Sequence, residues 1–151
     1  MKLYKLIPTL FCLFMFTACG SAENAVPIEI TNAWVRAVDS EMSMGGSSAT
    51  ALFMTIQNNT SIDDVLIRVE SDVADMVQIH LSQVDANGVA SMREVEGVQI
   101  LASEIAELKP GSYHVMLMGL KREIKEGDMI EFTLVFQNAG SIVIEAPVKT
   151  P

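Results

Sequence analysis

From Pro27 onward, apolar and polar residues alternate with a period of two and not 3.6. Val65–Glu70 is one such strand, with apolar Val65, Ile67 and Val69 at alternate positions. The same spacing predicts strands at Ile28–Thr31, leading into Trp34–Arg36, and at Ala49–Gln57, closed by Asn58-Asn59. It predicts further strands at Val77–Ser82, Val89–Val95, Tyr113–Leu120, Met129–Phe136 and Ser141–Val148, and leaves Val98–Ile100 and Ile105–Leu108 as candidates for short ones. Turn chemistry sits between them: Asp85-Ala86-Asn87-Gly88 is a hairpin signal, Lys109–Ser112 contains Pro-Gly, and Glu126–Asp128 and Asn138–Gly140 supply two more. No stretch after Pro27 has the pattern of a helix a dozen residues long. Eight or nine short strands, with turns every 8 to 12 residues, predict an all-β, antiparallel Greek-key sandwich in a single domain.

The first residues break this pattern. Met1–Lys5 is short and positive, and Leu6–Phe16 is almost wholly apolar. That run is too short for a membrane span of about 20 residues but fits the core of a signal peptide. It ends in Phe16-Thr17-Ala18-Cys19, which resembles the lipobox of bacterial lipoproteins, although Phe16 stands where Leu or Val is usual. The expected organisation is a signal peptide of lipoprotein type over 1–18, a tether over 19–26, and the β domain over 27–151. Cys19 would then carry the lipid and hold an extracytoplasmic protein to a membrane. Cleavage without lipidation would also place the domain outside the cytoplasm.

Composition narrows the function. Removing 18 residues from 151 leaves 133, enough for one core. The chain has 10 basic and 19 acidic residues, a net charge of −9. The leader takes Lys2 and Lys5 and no acid, which leaves −11 on the rest. So acidic a surface is wrong for nucleic acid. Both cysteines, Cys12 and Cys19, fall in the leader or at its end, so the β domain has no thiol for a disulfide or a thiolate metal site. No histidine lies in a nucleophile motif, and the acidic residues show no calcium-loop spacing. The chain does not look like an enzyme.

Two histidines, His80 and His114, are the chemically distinctive residues. Met92 follows His80 by 12 positions, His114 follows Met92 by 22, and Met116 follows His114 by two. Spacing of two puts His114 and Met116 on one face of a strand, and the Asn87-Gly88 hairpin puts His80 and Met92 on neighbouring strands. Whether those two share a face depends on one residue of loop length, which the sequence leaves open. Thioether sulfur is soft and neutral, a weak ligand for zinc or calcium and a good one for copper(I); imidazole suits copper too.

These four residues fit the signature H(M)-x10-M-x21-H-x-M, and the chain resembles the periplasmic copper chaperone family PCuAC. The likeness extends to Trp34–Ala37, Met54–Asn58, Met92–Val95, Leu108–Leu120 and Glu126–Asp128. The resemblance implies a cupredoxin-like β-sandwich. It implies one copper(I) ion on His80, Met92, His114 and Met116, and delivery to cytochrome c oxidase copper sites or the accessory proteins that load them. Two features depart from the family: Leu81 replaces an optional methionine, and no His or Met follows Met129, so one site is expected. A copper-buffering protein and a metal-free envelope lipoprotein are the alternatives. Met54, Met76 and Met129 are expected to be core filler. Met118 is expected at the core or rim, with a supplementary donor role as the other reading; for Met42 and Met44 plain loop residues are favoured over copper capture. Trp34 and Tyr113 are expected to pack, and Arg36 to be a solvated or cross-strand charge.

Overall fold

A computed structural model describes residues 27–38 and 49–150. The leader, Cys19, the tether and the loop carrying Met42 and Met44 lie outside the described residues. Ten strands account for the fold: β1 (Ile28–Arg36), β2 (Ala49–Asn58), β3 (Asp64–Glu70), β4 (Ala74–Val84), β5 (Ala90–Glu94), β6 (Val98–Ile100), β7 (Ile105–Leu108), β8 (Tyr113–Leu120), β9 (Met129–Phe136) and β10 (Gly140–Lys149). No helix occurs among the described residues. The strands follow the order β5-β4-β8-β2-β1-β10-β9-β3-β6, with β7 also pairing with β2. The path folds over so that β2, β4 and β8 face β3, β9 and β10 across one core, a β-sandwich.

Alternation explains how most strands lie, but not β3: Leu66 and Val69 are buried while Ile67 is 43% exposed, because a register shift between Leu66 and Arg68 breaks the expected Val65-Ile67-Val69 period. In β9, Ile130, Phe132, Leu134 and Phe136 are buried, while Met129 and Glu131 are exposed. In β2 the even positions Leu52, Met54 and Ile56 enter the core, and they meet Val115 and Leu117 of β8 and Ile79 of β4. Burying side chains of this size stabilises the fold by about 1.5–3 kcal/mol each before the entropy of ordering them is counted.

Several features differ from the sequence expectation. Ten strands form, not eight or nine, because the 98–100 and 105–108 segments are both paired. One strand pair is parallel: β1 joins β10 through Val35↔Val148 and Arg36↔Lys149, where the chain closes one layer onto the other. Met54 is core, as expected, but Met76 and Met129 are not core filler; each is 51% exposed. Both stand on the outward side of their strands, next to the inward-facing Val77 of β4 and Ile130 of β9.

A bulge in β1 changes which of its side chains face outward. Thr31 pairs with Thr55 but Trp34 pairs with Phe53, so β1 has one residue more than β2. Asn32, at φ 52°, absorbs the extra residue; asparagine tolerates this left-handed conformation better than most residues. The bulge shifts the parity of β1, so Trp34 joins Phe53 on the outer face while Val35 and Leu52 stay in the core.

Asn58 ends β2 and ties the loop that follows it to the end of β6. It is fully buried, its amide donates to the carbonyls of Ile62, Ile100 and Leu101, and its Oδ1 accepts from the Thr60 amide. Asn58→Ala is expected to leave these groups unpaired and lower the unfolding free energy by about 2–4 kcal/mol in urea titration. A loss under about 0.5 kcal/mol, the size of an ordinary surface change, would show that Asn58 is not a tie point.

Candidate metal centre

The outer face of β5, β4, β8 and β2 is where the sequence-derived residues meet. Strand register decides this. His80 lies directly opposite His114, and Gln78 opposite Met116. Across the other edge of β4, Ser82 faces Met92 and His80 faces Glu94. Directly opposed residues of antiparallel strands point to the same side. His80, Met92, His114 and Met116 therefore share one face, on three adjacent strands and successive rungs.

The hairpin between β4 and β5 settles the choice that the sequence leaves open. Val84 pairs with Ala90, and five residues close the loop. The Asp85 amide donates to the Val89 carbonyl and the Gly88 amide to the Asp85 carbonyl, both at 3.0 Å. The Asp85 carboxylate accepts the amides of Asn87 and Val89, which hold it below the ordinary carboxylate range. Gly88 sits at φ +82°, open to glycine without strain. One residue more or fewer here would turn Met92 to the opposite face.

The two imidazoles are held differently. His114 is 5% exposed, and its Nδ1 lies 2.9 Å from the Ser112 carbonyl. A carbonyl only accepts, so Nδ1 carries the proton and Nε2 keeps its lone pair. Ser112 is fixed by the Lys109–Ser112 turn, where Gly111 adopts φ +78°, and by the Ser82 amide, which donates to the same carbonyl at 3.1 Å. His80 places Nε2 3.2 Å from Gln78 Oε1, while its buried Nδ1 has no hydrogen-bond partner. With Nε2–H donating to Gln78, that Nδ1 is an orphaned acceptor. Such an atom costs stability unless something fills its lone pair.

The ring centroids of His80 and His114 are 6.1 Å apart. Burial first, then the neighbouring His114, push the His80 pKa below the ordinary imidazole value of 6.5, with Glu94 opposing. His80 is thereby biased toward a neutral, ligating form. His114, Met92 and Met116 line one open pocket of about 320 Å³, together with Arg36, Ala51 and Phe53. Met92 is 53% exposed. Among the described residues, no group of three or more His, Cys, Asp or Glu side chains could hold a metal ion. The soft donors on this face are two imidazoles and two thioethers, and thioether sulfur favours copper(I).

Some contributors were not visible in the sequence. Trp34 stacks on Phe53 at 4.7 Å between centroids, Phe53 lies 6.3 Å from His114, and the Arg36 guanidinium sits 5.5 Å over the Phe53 ring. Trp34 does pack, but on the pocket wall. Arg36 is a cross-strand charge, as expected, lying over Phe53 of β2, and it also lines the pocket. Gln78 carries a signal only in hindsight: it sits two residues before His80, on the same face.

Known proteins agree with this architecture. A family model described as "Putative lipoprotein LpqE-like" matches residues 28–148. "Putative lipoprotein Lxx21020" of Leifsonia xyli subsp. xyli (strain CTCB07) is 33% identical over 128 residues, 84% of this chain and 72% of that protein. Among solved structures, the copper-bound PCuAC domain from PmoF2 superposes with a TM-score of 0.67 at 28% identity, covering 83% of this chain and 94% of that domain. The CuI form of DR1885 from Deinococcus radiodurans gives a TM-score of 0.66 at 28% identity, covering 88% of this chain and 85% of that one. The structural neighbours are thus PCuAC domains with the same all-β fold. With its family model reaching from the first strand to the last, the chain belongs to the LpqE-like lipoprotein family.

Proposed function

We propose that this chain is an extracytoplasmic copper(I) carrier, anchored through a lipid on Cys19, which holds one ion on His80, Met92, His114 and Met116. The observation that carries the reading is the shared face: two imidazoles in direct opposition, flanked by two thioethers, with the buried His80 Nδ1 unpartnered. Likeness to copper-bound PCuAC domains supports it. The anchor is supported by the family description as a lipoprotein.

In this reading His80 binds through Nδ1 and His114 through Nε2. Gln78 and the Ser112 carbonyl hold the opposite ring nitrogens and orient the donors. All four ligands are neutral, so the ion is held by soft donation and the lower oxidation state is favoured. Met92, on an exposed edge strand, is the donor most easily exchanged for an acceptor's ligand. The role is binding and hand-over, with no chemical conversion. The acceptors are copper centres of cytochrome c oxidase or the accessory proteins that load them. Transfer from the loaded protein to an oxidase copper-centre fragment under reducing conditions tests delivery; retention without transfer would mark a buffering protein. A copper(I) titration against a competing chelator with a stoichiometry near zero would leave only a metal-free envelope protein.

Three outcomes are expected. Met116→Leu, close in volume, should change stability by less than about 1.5 kcal/mol yet lose copper(I) to a chelator that wild type resists; equal retention would remove Met116 from the site. Gln78→Leu should weaken copper(I) binding roughly 10- to 100-fold by freeing the His80 ring, with sulfur and nitrogen neighbours still counted by X-ray absorption; unchanged affinity would show that the ring needs no orienter. The third concerns pH. The folded protein protonates His80 less readily than the unfolded chain does, so the unfolded state binds more protons just below pH 6.5. Stability of the metal-free protein should therefore fall as pH drops through about 6.5, and copper(I) affinity should fall as protons compete at roughly pH 6 and below. A His80→Gln variant should show a flatter stability profile by urea unfolding between pH 7.5 and 5, and flat copper affinity in wild type would remove the histidines from the site.

A further inference from the structure

The face that carries the four donors does not end at Met116. One rung further along the same ladder, Met76 of β4 lies directly opposite Met118 of β8. Opposed residues point to one side with Cβ atoms about 4.5–5.5 Å apart, and diagonal neighbours lie about 7–8 Å apart. Met116 is the diagonal neighbour of Met76 and stands two residues from Met118 on the same strand. Three thioethers therefore form a triangle whose upper corner belongs to the candidate centre.

Burial argues that this rung is more than filler. Met76 is 51% exposed and Met118 is only partly buried. The inward positions beside them, Val77 and Leu117, do the packing. Two open methionines facing each other hide little apolar surface, whereas thioether sulfur has a specific use toward soft cations.

We infer that Met76 and Met118, with Met116 shared, form an auxiliary copper(I) contact one rung below the main site, from which the ion passes to or from the histidines by exchange of thioether ligands. The inference rests on the copper(I) reading of the neighbouring centre. With two or three neutral donors and open access to water, the lower contact is weaker than the upper one and fills second.

The test uses the full chain with methionine methyl groups labelled with carbon-13, titrated with copper(I) without oxygen. The first equivalent should shift the methyl signals of Met92 and Met116. A second, weaker equivalent should shift those of Met76 and Met118. In the Met76→Leu/Met118→Leu double variant the first equivalent should bind as before, the second should vanish, and loss of copper to a small chelator should slow. A wild type whose Met76 and Met118 signals stay still up to two equivalents would overturn the auxiliary contact while leaving the main site intact. A second equivalent retained by the double variant would overturn it too. A first equivalent that leaves Met92 and Met116 unmoved would overturn the main site instead. Because the wild-type signals decide the matter, a double variant that folds poorly does not protect the inference.

Discussion

The register between β4 and β8 is the constraint on which the rest depends. It sets Ile79 against Val115 inside the core and, one residue along, His80 against His114 outside it. Slipping that pairing by one residue would expose the core of two strands and scatter the imidazoles in the same step. The packing that stabilises the sandwich and the alignment that assembles the donors are thus one energetic choice. Val115 and Leu117 are fully buried, so a large loss of apolar burial opposes any slip.

Around that pairing, the site is built by local devices. The Asp85–Val89 loop sets the phase of β5, the Asn32 bulge resets the phase of β1, and the Lys109–Ser112 turn presents the carbonyl that fixes the His114 tautomer. Each uses a residue type suited to an unusual backbone: glycine at 88 and 111, asparagine at 32. The result is a wall of rings from Trp34 through Phe53 to His114 on one side and an open edge at Met92 on the other. One side of the pocket is packed rings, and the other is open to solvent.

Much of this was legible in the chain. Alternation located nearly every strand, because burial on one face leaves a period-two trace, and the hairpin residues Asn87-Gly88 marked the turn. Grouping His114 with Met116 needed only strand geometry. The face of Met92 was not legible, since it hangs on a single residue of loop length that hydrogen bonds decide. Trp34 was hidden for a related reason: a bulge reverses parity, and nothing in Asn32-Ala33 announces one. Met76 and Met129 were misjudged because residue type was read without strand parity: each sits beside an inward-facing neighbour, Val77 or Ile130, and so faces out. The β1–β10 parallel contact was invisible because residues so distant in sequence leave no local pattern.

The edge position of β5 has a consequence for motion. Among the described strands it is paired only with β4, and all five of its residues are solvent-exposed. In amide hydrogen exchange its outward N–H groups should be labelled first, while those of β8, paired on both sides, should stay protected until the sandwich opens as a whole. The pocket is then half clamp and half hinge, with its histidine-bearing floor among the slowest parts of the molecule to breathe and the methionine at its lip among the fastest.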